Sequence, residues 1–219
     1  SDKPEEGGRF LALASPFDYQ NQAELYIPKI ACEPQAPQFS DVLTEQLPKY
    51  SKEGKANLVL FSSYWQMNKV AEALSAEFVK NGWGLQIQGK ESRSEILKKH
   101  KSLVDKNKTS ILFGTGSFSE GLDLPGPLLE NLIITKIPFA VPTSPVEQAH
   151  AEYIESRGGN PFMQIAVPEA SKKLIQAVGR LLRKEQDSGK VTILDRRLVT
   201  KRYGSAILDS LPPFKRVIE

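Results

Sequence analysis

The chain has 219 residues, 40% of them hydrophobic and 25% charged, an ordinary globular composition long enough for one large domain or two small ones. A formal net charge of +3 and a pI near 8.8 permit contact with a polyanion without demanding it, and no dedicated basic tail is present. Cys32 is the only cysteine, which excludes an internal disulfide framework or a four-cysteine zinc or iron–sulfur site in this chain.

A lone thiol fits a reducing, cytoplasmic home, and no stretch approaches the roughly 20 apolar residues of a membrane span. Residues 1–8 are polar with Gly and Pro and read as a disordered end or cloning remnant. The run Phe10 to Ala14 predicts a short strand closed by Ser15-Pro16, and Leu25-Tyr26-Ile27 predicts another before Pro28. Two prolines make 30–38 a loop. A helix is expected over 41–50 from a Ser40 cap, with Pro48 limiting its end.

Regular alternation then begins. Leu58-Val59-Leu60-Phe61 is a continuous apolar strand of the kind buried on both faces of a parallel sheet. Met67, Val70, Ala71, Leu74 and Phe78 follow at helical spacing until Asn81-Gly82. Leu85-Gln86-Ile87 is a weak strand, 94–105 a lysine-rich polar helix, and Ile111-Leu112-Phe113 and Leu132-Ile133-Ile134 are buried strands. A proline-rich loop over 136–145 leads into a helix over 144–155, which Gly158-Gly159-Asn160-Pro161 breaks. Val191 to Leu194 reads as the final strand, and 201–211 as a closing helix. This order predicts a single α/β domain, residues 9–219, on a mostly parallel sheet. Ligands of such sheets bind beyond the carboxyl ends of strands.

That rule draws attention to three segments. Leu174 to Arg183, read as a helix, gathers Leu174, Ala177, Val178 and Leu181 on one side. Gln176, Arg180 and Arg183 fall on the other, where two guanidiniums beside an amide make a clamp for phosphate oxygens. Gly179 inside that helix costs about 1 kcal/mol relative to Ala, which calls for close approach of another group. After Phe113 comes a Gly/Ser loop, Gly114 to Gly126, carrying Glu120 and Asp123; its small residues let backbone amides approach a ligand. After Phe61 come Ser62 and Ser63, suited to phosphate oxygens, with Tyr64 and Trp65 able to stack on a base. Each segment also has a plain structural explanation. The arginine face can be solvated, the loop an ordinary turn, Ser62 a helix cap and Trp65 a core aromatic.

Together the three are far more specific. Leu58 to Tyr64 resembles motif IV of superfamily 2 helicases of the DinG and XPD type. Gly114 to Gly126, as G-x-x-S-F-x-E-G-x-D-x-P-G, resembles their motif V, and Gln176 to Arg183, as Q-x-x-G-R-x-x-R, their motif VI. Ser15-Pro16-Phe17, Lys136 to Phe139, Gly189, Asp195-Arg196-Arg197, Tyr203-Gly204 and Leu211 to Phe214 extend the likeness over nearly the whole chain from Ser15. A P-loop is absent: Gly54-Lys55, Gly89-Lys90 and Gly189-Lys190 are followed by Ala, Glu and Val. No Asp-Glu dipeptide supplies a Walker B box.

The resemblance therefore implies the second RecA-like lobe of a bacterial ATP-dependent DNA helicase acting in repair and the SOS response, a cytoplasmic monomer moving 5′ to 3′. ATP and Mg²⁺ would be held chiefly by an N-terminal motor lobe of the same polypeptide. Many relatives carry an iron–sulfur domain in that lobe; Cys32 alone cannot hold such a cluster here. The resemblance gives Arg183, Arg180 and Gln176 catalytic roles, leaving open which arginine is the finger. It puts Glu120, Gly121, Asp123 and Gly179 at the nucleotide, and Ser62, Ser63, Tyr64, Thr115, Ser117 and Phe118 on single-stranded DNA, with Tyr64 or Phe118 stacking. The rival readings are a stand-alone single-strand-binding module and an exonuclease-linked relative without motor activity. His100, in its lysine-rich helix, is expected to be exposed, and His150 structural or on the surface. The lysines at 98, 99, 101, 106 and 108 read as a solvated face, and no cluster has metal-ligand spacing.

Overall fold

In the computed structural model, residues 18–181 and 187–219 are described. The expected strand over 10–14, the Ser15-Pro16-Phe17 match and Arg183 lie outside these residues. Seven strands run β1 (Ala23–Ile27), β2 (Ala56–Phe61), β3 (Gly84–Ile87), β4 (Ser110–Thr115), β5 (Asn131–Ile134), β6 (Gly189–Ile193) and β7 (Lys215–Ile218). They form one sheet in the order β3-β4-β2-β5-β6-β1-β7, each neighbouring pair parallel. β2 lies between β4 and β5, with Phe61 opposite Thr115 on β4 and Leu60 opposite Ile134 on β5.

Side chains alternate across a strand, so continuous apolar runs feed two cores. Leu58, Leu60, Leu112, Leu132, Ile134, Val191 and Ile193 face one side. Val59, Phe61, Ile111, Phe113 and Ile133 face the other. The second face is covered by α2 (Phe39–Tyr50) and α3 (Tyr64–Lys80), following the short α1 (Tyr19–Gln22). The predicted stripe Met67, Val70, Ala71, Leu74 and Phe78 is fully buried there. α2 starts at Phe39, not after a Ser40 cap: Ser40 is itself buried in the helix, and Pro48 sits inside its last turns.

The first face carries the elements that build the cleft. α4 (Arg93–Asp105), the short α5 (Gly116–Glu120), the 122–129 segment and α7 (Val167–Val178) pack on it through Ile96, Phe118, Leu122, Leu124, Leu129 and Leu174. α6 (Pro145–Ser156) opens on a capping box at Ser144 and Glu147 and buries none of its residues. A π-helical stretch, Phe162–Ala166, joins it to α7. The closing helix is broken into α8 (Arg197–Thr200) and α9 (Arg202–Ser210), and β7 follows as a further strand beside β1. Buried Asp195 ties two of the matched segments together. Its carboxylate accepts from the Ile137 amide at 2.9 Å and from the Arg197 guanidinium at 2.7 Å.

Three expectations need correction. The helix expected over 174–183 ends at Val178. Past it, Arg180 N bonds Ala177 O at 3.3 Å and Leu181 N bonds Val178 O at 3.1 Å, the tighter i−3 pattern of a turn. The end of α7 also does not lie at a strand's carboxyl edge. Leu181 packs against Gly189, where a β-carbon would come within 2.7 Å of its Cγ and 2.9 Å of the Glu130 carbonyl, at the start of β5 and β6. His100 is buried rather than exposed, with Nδ1 2.6 Å from the Ser110 hydroxyl and Nε2 2.8 Å from the Leu128 carbonyl. Burial pushes its pKa below the ordinary value near 6.5, which the bond to Leu128 only partly offsets.

Candidate functional site

α5 joins two surfaces. A five-residue helix is about 7–8 Å long, and it begins at the carboxyl end of β4 and ends at a cleft under α7. At its start, the Gln88 side chain at the end of β3 binds two of the predicted segments together. Its Oε1 accepts from Thr115 N at 2.7 Å and from Thr115 Oγ1 at 3.1 Å, while its Nε2 donates to the Tyr64 hydroxyl. Thr115 Oγ1 also lies 3.1 Å from Ser117 Oγ. Tyr64, Thr115 and Ser117 thus form one cluster at the carboxyl edge, with Ser62 and Ser63 exposed beside it.

The predicted residues in this cluster divide by exposure. Ser63, not Ser62, caps α3, accepting from Gln66 N at 3.2 Å. Tyr64 is 53% exposed; Trp65, expected in the core as its structural reading, is 67% exposed with the Lys69 ammonium over its ring. Phe118 is 2% exposed and packs in the core, so it offers no face to a base. The stacking role given to it is corrected: its ring lies against Gly114, where a β-carbon would come within 3.2 Å of its Cγ.

At the other end of α5, Glu120, Gly121, Leu122 and Asp123 line a cleft of about 780 Å³ with Ile175, Gln176, Gly179 and Arg180. Two of the sequence motifs meet there although more than fifty residues separate them. Arg180 makes the join. One of its terminal nitrogens, Nη1, donates to the Ser119 carbonyl and, at 3.0 Å, to the Leu122 carbonyl. These carbonyls border the C-terminus of α5, where a cation meets orphan acceptors and the negative end of the helix dipole. Gly179 adopts ordinary helical angles, and a β-carbon there would meet only carbonyls of its own helix, Ile175 O at 3.0 Å. Its place on the cleft wall therefore rests on position rather than backbone strain. Among the described residues no group of three His, Cys, Asp or Glu side chains could hold a metal ion.

The family profile described as "Helicase C-terminal domain" matches residues 47–214, which takes in all three motifs and both ends of α5. The chain belongs to that family. A protein of Photobacterium profundum named "ATP-dependent DNA helicase DinG" is 71% identical over 96% of this helicase C-terminal domain. Proteins of the same name from Salmonella choleraesuis and Escherichia coli K12 are 37% and 36% identical over 97% of it. In each case the chain spans only 30% of the relative's length. Solved structures titled "XPD_APO" and "XPD_Helicase" superpose with TM-scores of 0.62 and 0.60, at 18% and 19% identity over 91% and 90% of this chain and 40% and 35% of theirs. A structure titled "Mss116p DEAD-box helicase domain 2 bound to an RNA duplex" gives 0.53 at 12% identity, over 90% and 64%. At those identities the likeness is one of fold, and the fold is the RecA-like helicase lobe that the motif order implied.

Sequence reasoning missed two residues that organise this helicase C-terminal domain. Gln88 belongs to none of the three motifs, yet it lies at the carboxyl end of β3, where the strand-end rule would have found it. Arg93 opens α4 and lies over the Phe118 ring, its Cζ 5.8 Å from the centroid. Only its position beside that strand end gave a signal.

Proposed function

We propose that the chain, over residues 9–219, is the second motor lobe of an ATP-dependent DNA helicase of the DinG type. It would close on an N-terminal lobe of the same polypeptide that brings the P-loop and the Mg²⁺ ligands. The observation that carries this reading is the cleft where Glu120, Gly121 and Asp123 meet Gln176, Gly179 and Arg180, in a chain with no P-loop of its own. Its polar lining suits a nucleotide presented from outside, and its volume falls in the ordinary range for ligand sites.

Phosphoryl transfer needs little covalent help from the protein and depends on placing positive charge where the transition state becomes more negative. Arg183 is the finger in this reading, and an arginine in that role accelerates related hydrolyses by about 10³–10⁵-fold. Gln176, exposed on the cleft wall, orients the γ-phosphate or the attacking water. Arg180 adds a cation at the cleft while holding the end of α5. Single-stranded DNA crosses the carboxyl edge at Ser62, Ser63, Thr115 and Ser117, with Tyr64 as the stacking face. Phosphate contact and stacking both favour binding that is indifferent to sequence and weakens with salt. Through α5, occupancy of one surface reaches the other. Cytoplasmic location, monomeric state, 5′ to 3′ movement and a part in bacterial DNA repair complete the proposal.

The test is Arg183→Ala in the full-length protein. Nucleotide binding should persist while DNA-stimulated hydrolysis is abolished; near-normal turnover removes Arg183 from the role. A labelled single strand titrated with and without ATP separates this reading from a plain binding module. The motor lobe predicts that nucleotide changes the affinity, the module that it does not.

A further inference from the structure

The segment that ends α5 is held by two arginines. Arg180 grips it from the cleft, and Arg93 packs on it as well. The Arg93 guanidinium occupies the space that a side chain at position 121 would need, since a β-carbon built on Gly121 would overlap it, with Cζ at 2.6 Å. The same group covers the Phe118 ring and directs Nη2 toward the Ser117 carbonyl at 3.4 Å. One planar fork therefore touches three positions of motif V, and a side chain at 121 would displace it. Helix stability gives no reason for an arginine at this place: it is the first residue of α4, where the N-terminal end of the dipole disfavours a cation.

We infer that Arg93 is a positioning residue joining the DNA surface to the nucleotide cleft. It is exposed, and its one hydrogen bond among the described residues is the long one to Ser117. A strand phosphate arriving at Ser117 competes for the same donors. Drawn toward that phosphate, the guanidinium stays packed on Gly121 and Phe118 but changes where it bears on them, and Gly121 lines the cleft. A DNA contact is thereby converted into a change at the wall that faces ATP. The inference rests on the motor-lobe reading and deepens it.

The experiment compares the full-length protein with its Arg93→Ala and Arg93→Lys variants. It measures oligo(dT) affinity across a range of salt concentrations and ATP turnover at saturating oligo(dT). Loss of one phosphate contact should lower the slope of log affinity against log salt by about 0.7 in Arg93→Ala. Arg93→Lys, which keeps the charge, should restore the slope. Misplacement of the cleft wall should lower DNA-stimulated kcat by about 10- to 100-fold in both variants, because an ammonium cannot lie flat against Gly121 and Phe118. An unchanged slope with kcat within about twofold of the parent overturns the inference. So does a fall in melting temperature with slope and kcat intact, which marks a merely structural residue. If the unsubstituted protein shows no DNA-stimulated turnover, the motor-lobe reading itself fails.

Discussion

Replacing Arg180 with alanine removes a side chain that hydrogen-bonds motif VI to the end of α5. Its Nη1 serves two carbonyls, those of Ser119 and Leu122. A hydrogen bond from a charged donor contributes about 1.5–3 kcal/mol, so both together could reach about twice that. The carbonyls border an open cleft, however, and water can replace the lost donor. A loss of about 2 kcal/mol is the better expectation once this rehydration is allowed for. In a domain of this size each kcal/mol moves the melting temperature by about 2–4 °C. Arg180→Ala should therefore lower Tm by about 4–8 °C in thermal unfolding of the isolated chain followed by circular dichroism. Arg180→Lys should recover about half, because a lysine side chain ends short of the Nη1 position that serves both carbonyls. A variant melting within about 1 °C of the parent would show that the contact holds nothing and refute the strut assigned to it.

Three further outcomes follow from the same geometry. Because burial lowers the His100 pKa, the unfolded chain takes up a proton more readily than the folded one. The stability it preserves is complete above the ordinary value near 6.5 and is lost as pH falls toward the folded value, at up to about 1.4 kcal/mol per pH unit. The fall in Tm between pH 7 and pH 5 should be shallower in His100→Gln, and equal slopes would exclude His100 as its source. Gln88→Ala frees Tyr64 and Thr115 from each other; at about 1 kcal/mol for the lost ordering, oligo(dT) affinity should fall about fivefold by fluorescence anisotropy. Gly204→Ala would drive a β-carbon within 2.5 Å of the Arg197 carbonyl. Backbone cannot step aside as a side chain can, and the cost of about 1–3 kcal/mol should appear as a Tm lower by about 2–12 °C.

The parts of the fold that were legible are those where burial is two-sided. Leu58 to Phe61, Ile111 to Phe113 and Leu132 to Ile134 are apolar without a break because both sheet faces are covered. β7 escaped notice because Lys215 and Arg216 occupy half of a short, largely exposed edge strand. α5 was hidden in a Gly/Ser loop, since a helix of five residues has no periodicity to read. The lysines around His100 disguised it, although Ile96 and His100 stand four apart on one helix face and both are buried. Phe118 failed as a stacking candidate for a similar reason. Its neighbours in sequence are polar, but the chain turns its ring inward beside Leu122 and Leu124.

The site divides along the same line. The motifs pointed to Glu120 to Asp123 and Gln176 to Arg180, and the fold places these segments around one cleft. Helix periodicity misjudged how they are held: α7 stops at Val178, and Arg180 reaches the cleft from a turn. Gln88 and Arg93 act through contacts that depend on β3 lying beside β4. That adjacency is a property of the sheet order, which no local pattern in the chain announces.

The claim on which the account turns is that this lobe holds half of an ATP site. The direct measurement is steady-state ATP turnover of the 219-residue chain alone, with and without single-stranded DNA, beside that of the full-length protein. The account predicts no turnover above background from the chain and DNA-stimulated turnover from the whole. Robust, DNA-stimulated hydrolysis by the chain alone would contradict it.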